Sequence, residues 1–320
     1  MSQGERATFD RANRGRSRGV PAWKDLGGLS VREVLTSRFR LDGGSMYGQV
    51  PKALWNRWSK ADRGNRIPLV VRSLLVRTGG ALLLVDPGMG SRYGPEEVER
   101  MAIDPEFASL SGTLRRSGID PEAVTDVILT HLHFDHIGGL AGAGPDGSPA
   151  LELPRAKIWL HRAQWERAHA PGPKERRSFR EEDLEVLSRA DLRYLEGPGE
   201  LAPGVSVRPT EGHTRGLLVV RVQGRTEEVL YPTDLLPTLA HMRLAYTTGF
   251  DLWPERLLEE KAAILEEASR NSSWIIFAHD PATAAARVAP GAEGYVVRER
   301  VATLWPPPGR GGGPGRGARA

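Results

Sequence analysis

The chain has 320 residues, enough for one large domain or two modest ones, and it contains no cysteine, which removes disulfides, thiolate ligands and cysteine nucleophiles together. Its net charge of +4 sits at its ends: residues 1–20 and 306–320 carry +3 each, leaving residues 21–305 at about −2. Such a body is not expected to offer an extended phosphate-binding face, and no run approaches the roughly 20 apolar residues of a membrane helix.

Residues 1–20 are rich in Gly and Arg and contain no apolar leader, so a disordered basic tail and a cytoplasmic protein are expected. From 21 to 305 neither a linker nor an internal repeat interrupts the chain, which predicts a single domain. Residues 67–90 read as two strands joined at Thr78-Gly79-Gly80, the second ending at Asp86. Residues 104–118 have helical spacing at Phe107, Leu110 and Leu114 and a stop at Gly118. A short β-branched strand at 124–130 follows, then a strand at 156–160, a helix at 161–170 and a charged helix near 180–190. Strands are expected at 205–210, 216–224 and 227–234. Residues 254–270 form an amphipathic helix with Leu257, Lys261, Ile264, Leu265 and Ala268 on one stripe. A last strand at 273–280 ends at a histidine, and 306–320 form a second disordered tail, rich in Gly, Arg and Pro. By element alternation the chain belongs to the α/β class, with sheets covered by helices.

Residues 128–140, "ILTHLHFDHIGGL", place three of the eight histidines beside an aspartate. His131 and His133 alternate as an extended segment does, so their imidazoles share a side and can grip one cation. Asp135 and His136 follow at a turn that can aim them at a second cation. Gly138 and Gly139 are expected to let the chain pass close to the metals. Asp86, His131, Asp234 and His279 each follow an apolar strand-like run, and His213 lies in the turn after another. Strand exits of this kind collect ligands in α/β architectures. His131, His133, Asp135, His136, His213, Asp234 and His279 make seven ligands, the number for two divalent ions if one carboxylate bridges them and a hydroxide completes the site. Nitrogen and oxygen donors suit zinc first, and also iron or manganese. Taken singly, Asp234 could instead cap a helix and His279 could simply end a strand. His161, His169 and His241 are expected to be structural or surface residues.

The motifs "LLLVDPG", "THLHFDHIGG", "EGHTRG", "YPTDLLP" and "FAHDP" resemble, in order, those of the metallo-β-lactamase-fold hydrolases, over about residues 35–300. The resemblance implies an α+β fold, a four-layer αββα sandwich with metals in a groove at one edge of the two sheets. It implies one ion on His131, His133 and His213, a second on Asp135, His136 and His279, and Asp234 bridging them. Asp86 would orient a ligand histidine without binding metal, and Asp135 would pass a proton to the leaving group.

Segments 41–65 and 238–255 are similar to those that wall an apolar pocket in the quorum-quenching lactonase and methyl parathion hydrolase-like branch. Met46, Tyr47 and Tyr246 are the candidate pocket residues. Homoserine lactonases carry a tyrosine three residues after the bridging aspartate, where this chain has Pro237. The expected reaction is therefore hydrolysis of a lactone, ester or phosphotriester of a small, largely apolar substrate. The alternative is a nucleic-acid-processing metallo-hydrolase aided by the basic tails, although the charge of the body disfavours nucleic acid. A redox di-iron protein is disfavoured by His133, where such sites favour a carboxylate, and by the lack of room for a flavin domain. No membrane partner is expected. A homodimer through the aromatic N-terminal loop is left open.

Overall fold

The apolar runs pair into two mixed sheets of seven strands each. The first sheet contains β1 (Lys24–Asp25), β2 (Ser30–Asp42), β3 (Arg66–Thr78), β4 (Ala81–Val85) and β5 (Asp126–Ile128). After an outlying hairpin, β6 (Ala141–Ala143) and β7 (Pro149–Leu151), it is completed by β8 (Lys157–His161) and β9 (Asp191–Leu195). Pairing is antiparallel up to β4 and parallel from β4 to β9. The second sheet contains β10 (Gly199–Ala202), β11 (Val205–Thr210), β12 (Leu217–Gln223), β13 (Glu228–Tyr231), β14 (Trp274–Ile276), β15 (Ala285–Gly291) and β16 (Gly294–Val301), in that order. There only β13 and β14 run parallel. This computed structural model describes residues 22–304 apart from 145 and 293, so the two expected tails lie outside the described residues.

Period-two patterning decides which faces meet. Val31, Leu74, Val76 and Val85 of the first sheet pack against Val205, Leu218, Val220 and Ile276 of the second. The outer face of the first sheet, with Leu75, Leu84 and Val127, lies under Leu110 and Leu114 of the helix Leu110–Arg116 and Leu184 and Leu187 of the helix Glu181–Leu187. The outer face of the second, with Val219, Leu230 and Ile275, lies under Leu257, Ile264, Leu265 and Ala268 of the helix Pro254–Asn271. The layers are helix, sheet, sheet, helix. The fold is the expected α+β sandwich of the metallo-β-lactamase type.

Two local differences have physical reasons. The helix expected over 104–118 breaks into a turn at Pro105–Phe107 and a helix at Leu110–Arg116, because the Ser109 side chain accepts a hydrogen bond from the Gly112 amide (3.0 Å) and starts a new helix. The 13-residue strand β2 has no clean alternation in sequence, because Arg32 and Glu33 are both buried within it. Glu33 is tolerated there through an ion pair with Arg72 on β3 at 2.7 Å. A separate aromatic and methionine cluster, including Phe39, Met46, Tyr47, Trp55 and Met89, caps one end of the first sheet.

Candidate metal centre

Five chain segments converge on one place, four carrying the candidate ligands and one carrying Asp86. Asp86 follows β4 directly, His131 lies three residues beyond β5, and His213 three beyond β11. Asp234 and His279 each lie three residues past the ends of β13 and β14. Ligand atoms of His131, His133, His213 and Asp234 all lie within 4.8 Å of one another, and those of Asp135, His136 and His279 form a second such group. Asp234 divides its oxygens between the two. Its Oδ2 is 3.3 Å from His213 Nε2 and 3.7 Å from His131 Nε2, whereas Oδ1 is 2.9 Å from His279 Nε2 and 3.4 Å from His136 Nε2. Asp135 Oδ2 stands 3.7 Å from His279 Nε2.

The protons of three imidazoles are fixed from behind. Nδ1 of His136 donates to Asp86 (2.8 Å), Nδ1 of His213 to Asp251 (2.7 Å), and Nδ1 of His279 to the Val70 carbonyl (2.8 Å). These partners only accept, so in a neutral ring each Nε2 is left with a lone pair aimed inward. Nε2 of His136 and of His279 then face each other at 3.2 Å, and His131 Nε2 is buried with no hydrogen-bond partner. Lone pairs converging in this way repel unless a cation lies between them. The residues present fit divalent metal with nitrogen and oxygen donors.

Electrostatics sharpens the same picture. Burial, with neighbouring imidazoles adding to it, pushes His131 and His133 well below the ordinary histidine value. Burial pulls His136 and His279 the same way, but Asp135 and Asp234 outweigh it and hold both above that value. Burial alone would lift the Asp234 carboxyl, yet His279 and His136 hold it well below the usual carboxylate range. The centre is thus built around positive charge.

The supporting geometry is strained in two places. Asp86 and Thr233 adopt left-handed backbone, with φ of +52° and +47°, which is unusual for residues bearing side chains. Asp86 thereby receives the amide and hydroxyl of Thr130 at 2.8 and 2.7 Å while also holding His136. The glycines after the histidine run have a role other than the expected approach to metal. A Cβ on Gly138 or Gly139 would fall 2.1 Å from the Met89 carbonyl oxygen or 2.2 Å from that of Pro87, so the two glycines let the loop cross the 87–90 segment.

Three further positioning residues escaped the sequence reading. Asp251 orients His213, and its only signal is an acid within the aromatic run "TTGFDLWP". Gln164 accepts from the Leu132 amide (3.0 Å), between two ligands, and donates to the Arg215 carbonyl (2.6 Å), joining the His131 and His213 loops. Arg72 donates to the carbonyls of Phe277 (2.5 Å) and Asp280 (3.0 Å), bracketing His279.

A cleft opens over the two clusters. Leu41, Met46, Leu69, Phe134 and Phe250 form its apolar wall, and Asp135, Asp234, His133, His213 and His279 lie at its base with Ser178, Pro237 and Thr248. Met46 therefore stands where a pocket residue was expected. Tyr47 and Tyr246 do not line this cleft. Tyr47 is fully buried, stacked between Trp55 (centroids 5.4 Å apart) and His241 (5.1 Å), and Tyr246 packs edge-on against it. Gly43 makes that stack possible, since a Cβ there would meet the Trp55 ring at 2.4 Å. His241 takes a structural place, accepting from Thr238 (2.7 Å) and donating to the Met46 carbonyl (2.9 Å). His161 caps the helix Arg162–His169, and His169 packs on Trp165.

Residues 66–279 match the model of a family described as the metallo-beta-lactamase superfamily. An N-acyl homoserine lactonase of Bacillus cereus is 29% identical over 167 residues, 48% of this chain and 58% of that one, so the match spans little more than half of that relative. The crystal structure of a probable metal-dependent hydrolase from Staphylococcus aureus superposes with a TM-score of 0.80 at 23% identity, covering 87% of this chain and 98% of that one. AidC, a dizinc quorum-quenching lactonase solved with the product N-hexanoyl-L-homoserine, superposes with a TM-score of 0.67 at 17% identity, over 88% and 98% of the two chains.

Proposed function

The chain belongs to the metallo-β-lactamase superfamily and is a metal-dependent hydrolase, and on that premise we propose that it works with two ions on a lactone, ester or phosphotriester of a small, largely apolar substrate. The observation that carries this is Asp234, whose two oxygens serve two separate ligand groups at the base of an apolar cleft. Two bound divalent cations, zinc first and iron or manganese as alternatives, would activate a water and polarise the scissile carbonyl or phosphoryl oxygen.

The chain's own residues do the rest. His131, His133 and His213 would hold one ion and Asp135, His136 and His279 the other, with an oxygen of Asp234 facing each group. Asp86, Asp251 and the Val70 carbonyl accept the Nδ1 protons of His136, His213 and His279 in hydrogen bonds, which turns each Nε2 towards the ions it would bind. Asp135 lines the cleft and hands a proton to the leaving group. Leu41, Met46, Leu69, Phe134 and Phe250 shed water and take the apolar part of the substrate.

Likeness to the Bacillus lactonase supports a lactone among the substrates. Pro237 and the lack of any tyrosine among the described lining residues favour a broader esterase or triesterase range, because no phenol is placed to hold the carbonyl oxygen. The same lining contains no lysine or arginine, which weighs against the nucleic-acid alternative.

The test is a screen of homoserine lactones, aryl esters and paraoxon-like triesters against zinc-, manganese- and cobalt-loaded protein, with elemental analysis beside it. Two metals per chain are expected, and Asp234→Ala should lose metal and at least about 1,000-fold in turnover. A fully active, fully loaded Asp234→Ala protein would refute the shared role.

A further inference from the structure

Lys261 lies on the apolar stripe of the helix Pro254–Asn271 and is completely buried. A methionine or leucine would fill such a position without the cost of taking an ammonium out of water. Its Nζ points at one short stretch of chain and donates to the carbonyls of Arg243 (3.2 Å), Leu244 (3.2 Å) and Tyr246 (2.5 Å). Three donors meet three carbonyls, a match that a compact ammonium makes and a planar guanidinium does not. The gripped stretch is the root of a functional loop. Two residues on come Thr248 and then Phe250, which line the cleft, and after them Asp251, which receives the Thr248 amide (2.6 Å) and holds His213.

We infer that Lys261 is a positioning residue whose charge sets the cleft wall formed by residues 243–250, so that substrate affinity depends on it while the metal ligands stay in place. The inference rests on the hydrolase reading above for its kinetic consequence, but not for the structural one. Metal binding should survive loss of the Lys261 charge because Asp251 has an anchor outside the wall, Lys174, which donates to its main-chain carbonyl.

The grip is also tunable by pH. Burial lowers Lys261 to about 8, with Asp251 opposing the shift. The charged and titratable groups facing the ammonium are Asp251 and His241, both from the loop side, and His241 is held down at about 4, so it stays neutral in the alkaline range. Loss of the proton from Lys261 therefore removes the charge that gathers the three carbonyls, and KM should rise with pH.

The experiment uses the full-length zinc-loaded chain, its Lys261→Met and Lys261→Arg variants and a 4-nitrophenyl ester, with metal content measured throughout. Lys261→Met should keep the wild-type metal content and a kcat within about 2-fold, but raise KM about 10-fold at pH 7. Its KM should then be flat from pH 7 to 9.5, whereas the wild-type KM climbs towards the variant's value. Lys261→Arg should recover part of the affinity and keep it to pH 9.5. A wild-type KM that is flat over this range, or a Lys261→Met KM equal to it, overturns the inference. If Lys261→Met fails to fold, the wild-type profile decides alone. Hydrogen exchange of the amides of residues 243–251 needs no substrate: faster exchange in Lys261→Met supports the positioning role, and equal exchange overturns it. A wild-type chain inactive on every ester, lactone and triester, yet with loop protection that depends on Lys261, would sink the proposed reaction and leave the positioning role standing.

Discussion

The ligand loops and the cleft wall sit side by side but are held by different physics. Each ligand loop leaves a sheet strand after a few residues, and its imidazoles are fixed by short hydrogen bonds to buried acceptors such as Asp86, Asp251 and the Val70 carbonyl. The wall is assembled from segments far apart in sequence, by ring stacking of Trp55, Tyr47 and His241 and by the Lys261 ammonium. Polar anchoring is local and directional, so it places atoms for chemistry. Stacked rings and a single buried charge define a surface, and that surface can change without disturbing the ligands.

If the two regions are separable, removing the stack should be the most damaging step for the fold and harmless for the ligands. Tyr47→Ala should cost about 3–5 kcal/mol of stability and raise KM, while the chain still binds its full complement of metal. Denaturant titration with elemental analysis measures both, and a metal-free Tyr47→Ala would show that the regions are one. The opposite break is Asp251→Asn, which leaves the wall packed but no longer fixes the proton on His213. Metal affinity should fall by about 10- to 100-fold with little change in unfolding midpoint for the metal-free protein; competition with a chromophoric chelator reads it.

The smallest effect concerns pH. His241 is neutral and buried, with its value lowered to about 4 by burial and by Lys261. The unfolded chain therefore takes up more protons than the folded one between about pH 6.5 and 4, so this residue costs stability as pH falls through that window. Between pH 7 and 5.5 the loss should be about 1 kcal/mol, seen as a difference in slope between the wild type and His241→Asn. Parallel slopes would mean that the stack does not depend on a neutral imidazole.

How much could be read from the chain follows from the same contrast. The seven candidate ligands were legible because spacing in "HLHFDH" and position after apolar strands are properties of short stretches. The sandwich was legible through alternation, except at β2, where Glu33 is buried inside the strand by pairing with Arg72 of the neighbouring β3. Asp251 was not, since it meets His213 across 38 residues with no motif joining them. Tyr47 looked like a pocket residue because an aromatic near a site is equally a wall or a support. Only the stack on Trp55 and His241 makes it a support.

His131, His133, Asp135 and His136 come from the first sheet's side of the sandwich, and His213, Asp234 and His279 from the second's. Neither half by itself can offer a complete cage. Ions seated there would rivet the two layers together, and their binding energy would register as resistance to prying the halves apart. A chelator should then act on this protein as a denaturant does, loosening the seam between the sheets before either sheet comes undone.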